Sequence, residues 1–113
     1  MEIKRYAEAG TFPFGNLVVR DVTPDSFDRL SLAEIEVPIG AVNPPYAAAG
    51  NDKIYVGITG DVEFVVDGTS ARIGRGDVLV VRSGEQYSYH NGGYEMGRLF
   101  LLQVPTQAAS GTT

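Results

Sequence analysis

The chain contains no cysteine. That excludes a disulfide framework and any thiolate metal site, and it fits a reducing, cytoplasmic setting. His90 is the one histidine in 113 residues, so no Ser-His-Asp relay can be assembled from partners at a readable spacing. Basic charge is short as well: 9 Lys and Arg against 14 Asp and Glu leave a net charge of −5. Binding to phosphates needs a basic surface, so nucleic acid is not an expected partner. Arg72, Arg75, Arg82 and Arg98 then read as scattered solvated residues before they read as a patch. No apolar run approaches the length that spans a bilayer. The opening MEIKRYAEAG carries acids and lacks an apolar core, so neither a membrane segment nor a secretory signal is expected. Helix signals are equally rare. Thr23-Pro24-Asp25 predicts a single helical turn over residues 24–29, with threonine as the cap.

What the chain does have is turns between short alternating runs. The stretch from Gly76 to Asn91, GDVLVVRSGEQYSYHN, shows the pattern in miniature: a Gly-Asp turn, an apolar run, a break at Arg82-Ser83-Gly84, and a second run closing on Asn91-Gly92-Gly93. Leu17–Arg20, Leu30–Val37, Lys53–Ile58, Val62–Val66, Ser70–Ile73, Val78–Arg82, Tyr87–His90 and Gly97–Val104 read as strands, with Ile3–Tyr6 as a short edge strand. Along Leu30–Val37 the residues Ser31, Ala33, Ile35 and Val37 share one face, while Leu32, Glu34 and Glu36 share the other. Asp67-Gly68 is the strongest hairpin signal, a type I′ turn. Phe12-Pro13-Phe14-Gly15 reads as an apolar loop, and Pro38–Gly50 as the longest irregular segment. Gly57-x-x-Gly60 and Gly74-x-Gly76 are turn glycines, since no helix follows them to make a phosphate loop. The expectation is a single all-β domain over residues 1–105, with a small polar tail over 106–113 that lacks structure.

The turn skeleton resembles the cupin superfamily of small barrels over residues 30–105. Gly76, Gly84 and Asn91 stand at the spacing of that family's second motif, with Arg82 where proline is usual and Tyr87 where histidine is usual. Gly40 and Gly60 bracket the first motif, with Tyr46 and Ala48 in place of its two histidines and Lys53 in place of its glutamate. The resemblance implies a double-stranded β-helix, or jelly-roll barrel, with an N-terminal strand arm. It also implies a metal held by imidazoles and a carboxylate, and here the letters depart. Two phenols, a methyl and a cation offer no such donors, so no metal and no other cofactor is expected. A site relocated to His90 with Glu85 or Glu95 is a weaker arrangement, because parity puts His90 opposite Tyr87 and Tyr89.

Strand alternation puts Lys53, Tyr55 and Gly57 on one face and Tyr87 and Tyr89 on one face of a later strand. If both faces point into the barrel with Tyr46, the lumen holds phenols around one ammonium. Lys53 is then the candidate general base or electrostatic anchor, its pKa lowered by lost hydration. Tyr46 and Tyr87 are candidate proton donors, and Tyr55 and Tyr89 the walls against which a substrate binds. In the competing arrangement Lys53 snorkels to the barrel mouth or faces solvent, and the tyrosines only fill the core and satisfy their hydroxyls. Arg98 joins the substrate-binding set if it points inward, where it would grip a carboxylate or phosphate; otherwise it pairs with Glu34 or Glu36. The function expected is a metal-independent isomerase, cyclase or lyase acting on a small molecule in the lumen, with a non-catalytic sugar-binding or aromatic-binding module as the rival. Relatives of this shape often pair through N-terminal strands, which makes a homodimer the expected state.

Overall fold

Eight of the ten antiparallel strands are those that the alternation predicts. A computed structural model describes residues 1–106. The strands are β1 (Thr11–Phe14), β2 (Leu17–Asp21), β3 (Ser31–Val37), β4 (Val42–Ala47), β5 (Asn51–Thr59), β6 (Val62–Val66), β7 (Thr69–Ile73), β8 (Val78–Val81), β9 (Gln86–His90) and β10 (Gly97–Pro105). They form a six-stranded sheet in the order β1-β2-β3-β10-β5-β8 and a four-stranded sheet in the order β4-β9-β6-β7. The two faces that meet carry Leu17, Ile35, Val37, Tyr55, Val81, Leu99 and Leu101 from the larger sheet against Val62, Phe64, Ile73, Tyr87 and Tyr89 from the smaller. That is the jelly-roll arrangement, with residues from the facing sides of the two sheets committed to one shared interior. At the β6–β7 hairpin Asp67 and Gly68 take φ of 47° and 83°, the pair of positive values that a type I′ turn needs.

Two proline-bearing segments become strands. Thr11–Phe14, expected as a loop, is β1, and residues 42–47 of the expected irregular stretch are β4. Both lie at the edge of their sheet, where a missing backbone N–H costs no ladder bond. In β4 the register to β9 shifts between Asn43 and Tyr46, across Pro44 and Pro45. The N-terminal arm is therefore the β1–β2 hairpin. Ile3–Tyr6 is not a strand; Tyr6–Glu8 forms a short 3-10 turn instead, because the Tyr6 hydroxyl is drawn to the buried Glu34 carboxylate at 2.7 Å. The helical turn expected at 24–29 is also absent. Pro24 starts a β-turn closed by Phe27 N–H to its carbonyl at 3.0 Å. The Thr23 hydroxyl is spent on Leu32, accepting from its N–H at 2.8 Å and donating to its carbonyl at 3.1 Å, so it cannot cap. Thr106 donates its N–H to the Gly50 carbonyl at 3.1 Å; the rest of the tail expected to lack structure, residues 107–113, lies outside the described residues.

Register across the large sheet decides what stands beside what inside. Gln103 pairs with Ser31 on one side and Lys53 on the other. The next inward row is Ala33, Leu101, Tyr55 and Leu79, and the one after it Ile35, Leu99 and Gly57. On the facing sheet Tyr46 stands opposite Tyr87, and Asn43, Tyr89 and Phe64 stand in one row.

Candidate functional site

Between these rows lies a cavity of about 320 Å³, with Lys53, Tyr46, Tyr55, Tyr87 and Tyr89 all in its lining. The five residues come from β4, β5 and β9, and half-buried Lys53 stands in the cavity lining, not on the outer face of its sheet. Lys53 Nζ donates to Gln103 Oε1 at 2.6 Å. Burial pushes its pKa below the ordinary lysine value, since an ammonium loses hydration that a neutral amide oxygen only partly replaces. No ion pair to Lys53 occurs among the described residues.

The phenols form one contiguous aromatic group. Tyr55, only 1% exposed, has its ring 4.9 Å from Phe64, 5.6 Å from Tyr89 and 6.2 Å from Tyr87. Such tilted and edge-on contacts let the positive rim of one ring face the negative face of the next. Burial raises the pKa of the Tyr55, Tyr87 and Tyr89 hydroxyls, with the Tyr55 hydroxyl set beside the other two. They stay protonated at neutral pH and can donate. Tyr46 differs. It is 60% exposed, stands edge-on to Tyr87 at 6.2 Å, and with Phe12 and Phe14 of β1 forms the rim.

No protein-family model and no curated protein matches the sequence. Solved structures do match the fold. The cupin domain of Schizosaccharomyces pombe Cnp3 superposes with a TM-score of 0.82 at 20% identity, over 96% of this chain and 77% of that one. KdgF from Halomonas sp. gives 0.80 at 16% identity over 96% and 98% of the two chains. The polyketide cyclase RemF from Streptomyces resistomycificus gives 0.80 at 18% identity over 92% and 79%. The chain has the cupin fold.

Within the cupin barrel the resemblance read from the glycines has a physical basis. Gly40, Gly60, Gly76 and Gly84, the four that mark the motifs, all have φ between 72° and 96°, where a side chain is strained. Asn91 closes the second motif and is fully buried. Its Nδ2 donates to the carbonyls of Val37 and Glu95, both at 2.8 Å, and its Oδ1 accepts from Gly93 N–H at 2.9 Å. The turn residues of the motifs are therefore barrel corners.

The positions that would hold a cupin metal do not fit one. Tyr46, Lys53 and Tyr87 line the cavity, and Ala48 is buried in the core. A lysine that donates to an amide has no lone pair to give, and the alanine methyl has none at all. No group of three or more His, Cys, Asp or Glu side chains able to hold an ion occurs among the described residues. His90 lies on the outer face with Nε2 at 3.5 Å from Glu63 Oε1, and forms no such group with Glu85 or Glu95.

Arg98 does not reach the cavity. The inward residues of β10 are Leu99 and Leu101, so Arg98 falls on the outer face, its Nη1 at 3.3 Å from Glu34 and 3.4 Å from Glu36. Its ion-pair alternative is the one that forms, and the substrate-binding role is corrected accordingly. Ser31, Gln103 and the rim phenylalanines Phe12 and Phe14 line the cavity without having been singled out. Gln103 shares parity with Leu99 and Leu101, a polar residue on an apolar face, and that was the signal available.

Proposed function

We propose that this cupin-fold chain binds a small molecule in the barrel cavity and performs proton-transfer chemistry on it as a metal-independent isomerase, cyclase or lyase. The observation that carries the reading is the Lys53 ammonium, held inside an aromatic cavity with its hydrogen bond on a neutral amide oxygen at 2.6 Å. A charge placed there without a carboxylate partner keeps its field for an incoming group. With its pKa lowered by burial, Lys53 also yields an amine more readily than a solvated lysine does. In that form it would take a proton from carbon beside a substrate carbonyl, while a phenol from Tyr87 or the rim Tyr46 gives one to the carbonyl oxygen. Tyr55 and Tyr89 are the walls that orient the substrate. The likeness of fold to a polyketide cyclase is compatible with this chemistry and does not by itself assign it.

A second reading has its own support. The Lys53–Gln103 bond is short, and an ammonium anchored on a neutral amide with further donors to offer also suits a binding module that holds a ligand without converting it. Incubation with a mixed library of small metabolites, followed by mass spectrometry, separates the two. The enzymatic reading expects one compound to be consumed with a product of equal mass or of mass reduced by water, and expects Lys53→Met to stop it. Turnover unchanged in Lys53→Met overturns that reading, and retention of a compound without conversion favours the binding module.

The same proposal takes the protein as a homodimer. Strands β1 and β8 leave free edges at the two ends of the large sheet, and β8 exposes Val78 and Val80; a second copy would cover both features.

A further inference from the structure

The cavity is sorted by polarity, and the sorting names its occupant. On the inner face of the large sheet the polar residues Ser31, Gln103 and Lys53 stand side by side in one row across β3, β10 and β5. The row beyond them, Ala33, Leu101 and Tyr55, is apolar but for one buried phenol. Opposite stand Tyr87 and Tyr89, and at the rim Phe12, Phe14 and Tyr46 are each at least half exposed. Three aromatic side chains are thus left uncovered around the mouth of a cavity whose one positive charge lies along one edge. Asn43, which also lines it, is buried. The carboxylate that shares the rim, Asp21, accepts from Thr23 N–H at 3.0 Å.

Resting on the cavity reading above, we propose that the occupant is a planar aromatic anion: a single or fused ring carrying a carboxylate, phenolate or enolate at one edge, seated with that edge on Lys53. The ring lies against Tyr55 and Tyr87, and Phe12, Phe14 and Tyr46 cover it from outside. Aromatic walls reward a flat π surface through offset and edge-on contacts, whereas a sugar presents hydroxyls on every side. The hydroxyls turned toward the ring faces and toward Leu17, Ile35 and Leu101 would leave water without a partner, each at a cost. Size argues the same way. About 320 Å³ is near the lower end of ligand pockets, roughly 300–1,000 Å³, room for a small fused-ring compound.

Fluorescence titration of the full chain with hydroxynaphthoate, its methyl ester and glucuronate tests this. Hydroxynaphthoate is expected to bind, the neutral ester to bind at least about tenfold more weakly, and glucuronate not to compete. Lys53→Met is expected to weaken the acid by about tenfold or more and leave the ester nearly unchanged, as loss of a charge-assisted bond requires. Tyr46→Ala, at an exposed rim position that the fold does not depend on, is expected to weaken acid and ester alike. Glucuronate bound as tightly as the naphthoate, and released by Lys53→Met, overturns the aromatic class and leaves the cavity as the site. No probe bound, or affinities indifferent to both substitutions, overturns the class and the cavity reading together.

Discussion

Lys53 and Asn91 are both polar residues inside an apolar barrel, and their surroundings make opposite predictions for stability. Lys53 is held with its pKa below the ordinary 10.5, so the folded chain binds its proton less tightly than the unfolded chain. Folding stability contributed by this group therefore rises as pH climbs through the folded value towards 10.5, and below the folded value the charged form is a standing cost. Urea denaturation from pH 7 to about 10.5 is expected to show wild type gaining stability relative to Lys53→Met. Parallel pH profiles would sink the assignment. Asn91, by contrast, satisfies three backbone groups. Asn91→Ala leaves two carbonyls and one N–H without their partner, an expected loss of roughly 2–4 kcal/mol in the same assay. That Lys53 shares a face with Tyr55, and Tyr87 one with Tyr89, was legible from alternation alone, because side-chain parity is a local property of a strand; which of the two faces turns inward was not. Nor was the partner of Lys53. Gln103 is 50 positions away, and only the pairing of β5 with β10 brings it alongside.

At the scale of elements, the strands that the sequence concealed are those containing proline. β1 and β4 carry Pro13, Pro44 and Pro45, and local rules read proline as loop. It is tolerated because each strand has only one neighbour, a fact about sheet order that no local window contains. The opposite constraint acts where β5 passes the turn before β8. A Cβ on Gly57 would lie 2.0 Å from the Gly74 carbonyl oxygen, and the backbone there is pinned by Gly57 N–H to Asp77 at 2.9 Å and by Gly76 N–H to Gly57 at 2.8 Å. Gly57→Ala must push backbone against backbone, so a loss of about 3 kcal/mol or more is expected, with failure to fold as the extreme. A wild-type melting curve for this variant would contradict the close approach. The N-terminal turn makes a milder case. Tyr6 bonds Glu34, which is 7% exposed and also faces Arg20 and Arg98. Tyr6→Phe is expected to cost about 1–2 kcal/mol and to leave ligand affinity unchanged, since this cluster lies on the outer face of the sheet that lines the cavity.

For the molecule as a whole, non-local pairing dominates: β10 joins β3 to β5, and β9 joins β4 to β6. Each contact of that kind must overcome loop-closure entropy before it stabilises anything, so refolding on the scale of milliseconds to seconds is expected in stopped-flow experiments. The free edges of β1 and β8 make association with a second copy the expected state, and sedimentation equilibrium should return twice the chain mass. A monomer at micromolar concentration would remove the homodimer from the proposal. Among the described residues no helix is long and apolar enough to cross a membrane, in line with the absence of such a run in the sequence.

By itself the sequence determined the all-β architecture, the corners of the barrel and which residues of the strands it showed share a face. Turn chemistry and period-two alternation act over a few residues, so a single chain displays them openly. The tertiary structure alone decided that Arg98 spends its charge on Glu34 and Glu36 outside the barrel, that Ser31, Gln103 and Lys53 form one polar edge, and that phenylalanines from β1 stand at the cavity mouth. Those outcomes depend on which strands become neighbours and in what register. That is settled by packing two sheets around a common interior, over separations that no local pattern spans.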